Sequence, residues 1–138
     1  MRILILDDSP SRLATFRRKL IGSVVTCVEH ASDCIREIEN NDPFDYFLCD
    51  HDLDGKVYAP SGPGTGYEVA QWLKNHPEKM PGKVIFHTCN EKAIVLMMEE
   101  IPEALPLMGL FMVDFGLADL ERIEIIYHKH VQFFDKNA

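Results

Sequence analysis

Tyr46-Phe47-Leu48-Cys49-Asp50-His51-Asp52 is a short apolar run that stops abruptly in three ionisable residues. Near the N-terminus, Ile3-Leu4-Ile5-Leu6 stops in the same way at Asp7-Asp8. Two such runs read as parallel strands that deliver acids to one edge of a sheet, and open α/β sheets bind ligands at the carboxyl ends of their strands. Carboxylates crowded there repel one another unless a hard cation such as Mg²⁺ shares them, so the pattern points to phosphate chemistry. Acids also end strands simply because they favour turns. Two pairs accompanied by histidines make that the weaker explanation.

Working outward, Ser9-Pro10 supplies an N-cap and a first-turn proline for a helix. Leu13, Phe16, Arg17, Leu20 and Ile21 carry its spacing to a stop at Gly22. Val24–Val28 is a β-branched strand, and residues 32–38 form a second helix with Ile35 and Ile38 inward. Residues 54–65 hold three glycines and two prolines and read as a loop attached to the suspected site. Thr65-Gly66-Tyr67-Glu68 has the form of a capping box and opens a helix to about Asn75, with Val69, Trp72 and Leu73 as its apolar stripe. Val84–Phe86 is a fourth strand, ending in His87-Thr88-Cys89-Asn90, and Asn90 caps a helix that runs to Ile101. Leu107–Val113 is the expected fifth strand, weakened by Gly109, and the stripe from Leu117 through Phe134 predicts a final helix. Strand and helix alternate five times, which implies a parallel sheet covered by helices on both faces, in one domain over residues 1–138.

The 138 residues suffice to bury a core, and 46% hydrophobic with 26% charged content is ordinary for a soluble domain. A net charge of −8 argues against an extended nucleic-acid surface, though a bound metal would still let a small nucleotide dock. The apolar runs are far too short to span a bilayer and the N-terminus lacks the form of a signal peptide, so a cytoplasmic, membrane-free protein is expected. Cys27, Cys34, Cys49 and Cys89 show no CxxC spacing and read as reduced thiols. His128 and His130 on the last helix read as surface, and Met97, Met98 and Met108 as core filling.

The chain resembles response-regulator receiver domains over nearly its whole length. Asp7-Asp8 looks like their acidic pair after strand one, Asp50 takes the place of their phospho-accepting aspartate, and Thr88 that of their Ser/Thr after strand four. The resemblance implies a flavodoxin-like, doubly wound, five-stranded parallel sheet of order 2-1-3-4-5. One departure matters: receivers carry a lysine at the end of strand five, where this chain has Met112-Val113-Asp114-Phe115. Without that cation a phosphoaspartate loses its counter-charge, which argues against signalling by phosphoryl transfer.

A more specific resemblance is to the cyclic-phosphate-processing receiver domains. Their pattern is matched by Asp7-Asp8 with Arg12, Asp50-His51-Asp52-Leu53, Thr65-Gly66 and His87-Thr88-Cys89-Asn90, four segments in the right order. The resemblance implies processing of cyclic phosphates on nucleotides or RNA ends.

The residue chemistry agrees. Asp7, Asp8, Asp50 and Asp52 are the candidate ligands for Mg²⁺ or Mn²⁺. His51 and His87 are candidate proton carriers beside Asp50, since imidazole titrates near neutral pH. Arg12, Thr88 and Asn90 are candidates for holding phosphate. The expectation is therefore a metal-dependent phosphodiesterase acting on a small phosphate ester or nucleotide. Its competitors are a phospho-accepting receiver and a non-catalytic domain that sequesters a messenger. The oligomeric state, monomer or homodimer, is left open.

Overall fold

Ile3, Leu4, Ile5 and Leu6 are all fully buried, as an aliphatic run must be in a strand covered on both faces. In the computed structural model, which describes residues 1–56, 58–107, 116–123, 125, 127 and 128, this run is β1 (Arg2–Leu6). It is followed by α1 (Pro10–Lys19), β2 (Val24–Val28), α2 (Ala31–Glu39), β3 (Tyr46–Cys49) and α3 (Gly66–Asn75). A 3₁₀ turn (Pro77–Lys79) then leads to β4 (Lys83–Phe86), α4 (Glu91–Glu100), β5 (Leu105–Pro106) and α5 (Leu117–Glu121). The five strands form one sheet of order β2-β1-β3-β4-β5, and every neighbouring pair is parallel. This is the doubly wound sheet that the alternation and the resemblance imply.

Strand parity divides the core into two clusters. Leu4, Leu6, Phe47, Cys49 and Phe86 face α2, α3 and α4, packing on Ile38, Leu73 and Met97. Ile3, Ile5, Leu48 and Ile85 face the other way, onto Phe16 and Leu20 of the α1 segment and Leu120 and Ile123 near α5. Side chains alternate because successive residues of a strand point to opposite faces. The same parity governs the residues just beyond each strand, and so it decides the site.

Three expectations need correction. The fifth strand pairs earlier than expected, at Leu105–Pro106, with the Leu107 N–H donating to the Phe86 carbonyl at 2.9 Å. Pro106 is accommodated there because an edge strand tolerates its missing N–H. Of the expected strand, residues 108–113 lie outside the described residues, as do Met108, Asp114, His130, Val131 and Phe134. Ile21 does not extend the stripe of α1, which ends at Lys19, and it is 82% exposed. The capping box at Thr65 does not form. Its hydroxyl closes a tight turn by donating to the Gly62 carbonyl at 2.7 Å, and Glu68 accepts instead from the Gly64 N–H at 2.9 Å.

The other caps form as read. Ser9 Oγ accepts from the Arg12 N–H at 3.3 Å with Pro10 in the first turn, and Asn90 Oδ1 accepts from the Ala93 N–H at 3.1 Å. The four cysteines are free thiols, His128 is exposed, and Met97 is buried. Among the described residues, no helix is long and apolar enough to cross a membrane.

Candidate functional site

Leu6, Cys49 and Phe86 are level with one another in the sheet register, so the residues that follow them arrive together. Those residues are Asp7, Asp50 and His87. The ladder still holds their backbones: Asp50 N–H donates to the Leu6 carbonyl and His87 N–H to the Cys49 carbonyl, both at 3.0 Å. Parity turns all three toward the α1 side. His87 packs its ring edge-on to Phe16, with centroids 5.7 Å apart, and Arg12 of α1 reaches both acids.

Arg12 occupies the centre of this acidic pocket. Its Nε donates to Asp7 Oδ2 at 2.8 Å and its Nη2 to Asp7 Oδ1 at 2.9 Å, a two-pronged grip on one carboxylate. The same Nη2 lies 3.3 Å from Asp50 Oδ2 and 3.9 Å from Asp8 Oδ1. Asp7 Oδ2 also accepts from His87 Nε2 at 3.1 Å, and Oδ1 accepts from the Ser9 N–H at 2.8 Å. Burial pushes the Asp7 carboxyl up, but the hydrogen bonds from His87 and Arg12 outweigh it and hold Asp7 well below the usual carboxylate range. Asp50 has fewer donors, and burial, aided by the charge of Asp7, raises it. One acid of the pair is thus firmly ionised, and the other is the easier to protonate.

Receiver-type sheets imply a divalent cation here, and the donor set fits one. One ligand atom each from Asp7, Asp50 and His87 lies within 4.8 Å of the others. Two carboxylates with one imidazole form a reasonable set for such an ion. Arg12 is the present counter-charge, with its side chain 46% exposed. Asp8 stands apart from the trio, its Oδ2 accepting from the Gly55 N–H at 2.7 Å. Among the described residues, His87 Nδ1 is the one buried side-chain polar atom without a partner.

His51 has the opposite parity, and its ring goes to the other side of the sheet. It is fully buried, with Nδ1 2.6 Å from Asp52 Oδ1 and Nε2 3.0 Å from Ser61 Oγ. Asp52 has left the strand and anchors the loop instead, accepting from the Tyr58 N–H at 2.8 Å, the Ala59 N–H at 3.2 Å and Asn90 Nδ2 at 3.1 Å. Burial raises the Asp52 carboxyl, but these donors together with His51 lower it overall. Asn90 Nδ2 also donates to the Ala59 carbonyl at 3.1 Å. Thr88 Oγ1 accepts from the Asn90 N–H at 3.1 Å. The described bonds of Thr88 and Asn90 are therefore to the chain itself.

The two histidines sit in different hydrogen-bond networks that meet at the Asp50–His51 peptide, where the His51 N–H donates to Asp50 Oδ1 at 2.8 Å. Gly66 makes this junction fit. A Cβ there would collide with the Asp50 carbonyl, and the Gly66 N–H donates to the His51 carbonyl at 3.0 Å. Every buried polar side chain among the described residues lies at this edge: Asp7, Asp50, His51, Thr65, His87, Thr88 and Asn90. Ser61 was not a candidate in the sequence. It lies ten residues past His51 in a glycine-proline loop, where nothing in the spacing marks it.

The same edge opens into a cleft of about 820 Å³ between the 58–61 segment and the start of α4, within the size range of small-molecule sites. Tyr58, Pro60, Ser61, Cys89, Lys92 and Leu96 are among its walls.

Solved receiver domains share this fold. One is a receiver domain protein from Methanospirillum hungatei JF-1, 19% identical with a TM-score of 0.62, covering 95% of this chain and 96% of that one. Another is the non-phosphorylated receiver domain of the stress response regulator RcsB from Escherichia coli, 21% identical with a TM-score of 0.63, covering 94% of each. No curated protein matches the chain. The family described as "Cyclic-phosphate processing Receiver domain" matches residues 2–103, most of the chain, and the protein belongs to that family.

Proposed function

We propose that this chain binds a cyclic phosphate ester at the carboxyl edge of the sheet and hydrolyses it. The observation that carries this reading is the gathering of all the described buried polar side chains at that edge, with none elsewhere in the core. Burying polar and ionisable groups costs stability, so their concentration where α/β sheets bind ligands points to chemistry.

In this reading Arg12, half in solvent, meets the incoming phosphate and exchanges part of its grip on Asp7 for it. Asp7 stays ionised and accepts the His87 N–H, which orients that ring toward the pocket. His51 is oriented in the same way by Asp52. His87 is the proton carrier of the acidic pocket, whereas the fully buried His51 ring belongs to the network on the other side of the sheet. Asp50, the acid that protonates more readily, sits between them. Mg²⁺ or Mn²⁺ on the carboxylates of Asp7 and Asp50 would neutralise charge on the phosphate oxygens, with the His87 ring left to move the proton. Thr88 and Asn90 serve by holding the strand-four turn and the loop in register.

The test is turnover of a panel of 2′,3′-cyclic, 3′,5′-cyclic and cyclic dinucleotide phosphates, with Mg²⁺, Mn²⁺ or chelator present. Hydrolysis of at least one class is expected, with His87→Ala slowing it by about 10²–10⁴-fold, the usual general acid–base contribution. A receiver reading is favoured by the receiver fold and the place of Asp50 beside Asp7. Its signature is a one-phosphate mass gain from a small phosphoryl donor, abolished by Asp50→Asn. That gain, with no hydrolysis in the panel, would overturn the enzymatic reading.

A further inference from the structure

Asp52, His51 and Ser61 form an uninterrupted acid–imidazole–hydroxyl relay. Asp52 Oδ1 lies 2.6 Å from His51 Nδ1, and His51 Nε2 lies 3.0 Å from Ser61 Oγ. A carboxylate accepts, which favours the tautomer with Nδ1–H donating to Asp52 and leaves Nε2 as the acceptor for the serine hydroxyl. The imidazole is fully buried and cannot exchange these partners for water, while Ser61 at the outer end is half-buried and lines the 820 Å³ cleft. A base held by an acid on one side and a hydroxyl on the other, on a serine that lines a ligand-sized cleft, is the arrangement that activates a serine.

The segment that carries the serine is built to stay in place. Asp52 grips the backbone N–H groups of Tyr58 and Ala59, and Tyr58 is held at a φ of +52°, a conformation that costs energy for a residue with a side chain. Asn90 fixes the same segment through the Ala59 carbonyl while capping α4. The first turn of α4 and Lys92 therefore border the cleft opposite the serine and supply partial and full positive charge, against the single carboxylate of Glu91. The Tyr58 ring, 70% exposed at the rim, offers a flat face for a nucleobase.

We propose that Ser61 is a nucleophile, activated through His51 and Asp52, that opens the ring of a nucleoside cyclic phosphate held in this cleft. Only the substrate class rests on the hydrolase reading above; the phosphate is seated here on the cleft side of the sheet rather than against Arg12. In the first step the Ser61 Oγ–P bond forms and one ring P–O bond breaks. The serine proton passes to His51 Nε2 and on to the departing ribose oxygen, leaving a phosphodiester between Ser61 and the nucleoside. In the second step water attacks phosphorus and the P–Oγ bond breaks. The water proton returns through His51 to Ser61, and a nucleoside monophosphate is released. Asp52 touches no substrate and is a positioning residue.

A fluorophosphonate probe reads the nucleophile directly, because it joins serine Oγ to phosphorus with loss of fluoride. Peptide mass mapping of the full chain should place the adduct on Ser61. The adduct should be absent in Ser61→Ala and form at least ~100-fold more slowly in Asp52→Asn, where the imidazole loses its orienting carboxylate. Ser61→Ala removes one oxygen from a half-buried loop position, so folding is not at issue. Ring opening of nucleoside cyclic phosphates, followed in parallel, should fall at least ~100-fold in Ser61→Ala. No adduct on Ser61, or an adduct rate unchanged in Asp52→Asn, overturns the relay. Ring opening that persists in Ser61→Ala removes the serine and leaves the hydrolase reading standing. An Asp52-dependent adduct without ring opening of any cyclic phosphate keeps the nucleophile and removes that substrate class.

Discussion

Asp7 and Asp52 each accept four hydrogen bonds, but from different kinds of donor. Asp7 takes three from the Arg12 and His87 side chains and one from the Ser9 N–H. Asp52 takes two from the side chains of His51 and Asn90 and two from the backbone of Tyr58 and Ala59. The first acid therefore ties regular elements together, β1 to α1 and the end of β4. The second shapes an irregular loop. The acidic pocket is a matter of charge balance, since two carboxylates share one guanidinium and one imidazole. The relay is a matter of direction, since the imidazole links Asp52 at one ring nitrogen to the Ser61 hydroxyl at the other. A ligand that alters charge acts on the first network, and one that needs an aligned atom acts on the second.

The largest separation between the two should come from Asp7→Asn. It leaves Arg12 and His87 without their shared carboxylate, at a cost of about 2–3 kcal/mol. That is near the low end for a broken buried pair, because Arg12 is half in solvent. Asp7 is depressed below the unfolded value of 3.8, so its contribution is complete above that value and is lost only as the pH falls well below it. Urea unfolding followed by the emission of Trp72, the single tryptophan, should show a gap from parent that is constant at neutral pH and closes in strong acid. A gap that grows in acid would mean that charge pairing is not what holds this pocket.

Asn90→Ala probes the other network and should cost slightly less, about 2 kcal/mol. It removes the α4 cap and strands the Ala59 carbonyl. Amide hydrogen exchange should rise in residues 58–62 while β1 and β3 stay protected. Equal loosening of both regions would show that the networks are not separable.

The smallest effect has the opposite sign. Asp50 is raised above the unfolded 3.8, so ionising it in the fold costs stability that is lost as the pH rises from the unfolded toward the folded value. Asp50→Asn should therefore stabilise the protein slightly at neutral pH, with the gain vanishing below that window. A melting-temperature rise of a few degrees would register it. Destabilisation instead would mean that the Arg12 and His51 N–H contacts to Asp50 outweigh its burial.

The alternation of apolar runs with amphipathic segments determined the sheet, its parallel sense and the edge that carries the acids. These follow from local periodicity and from the rule that buried parallel strands are apolar throughout. Asp7, Asp50 and His87 could be named from sequence because each directly follows a strand, and register then has little freedom in where it puts them. The division of labour between the histidines was decided only in three dimensions. His51 and His87 both follow strands, but one stands at the second residue past its strand and the other at the first, and strand parity sends their rings to opposite sides of the sheet. Ser61 and the grip of Arg12 depend on contacts across loop and helix that no spacing encodes. Thr65 shows the same limit, since its capping pattern is local but a nearer carbonyl at Gly62 takes its hydroxyl. Short-range pattern specifies which backbone forms; side chains that leave that backbone answer to whichever partner the tertiary fold brings within hydrogen-bond reach.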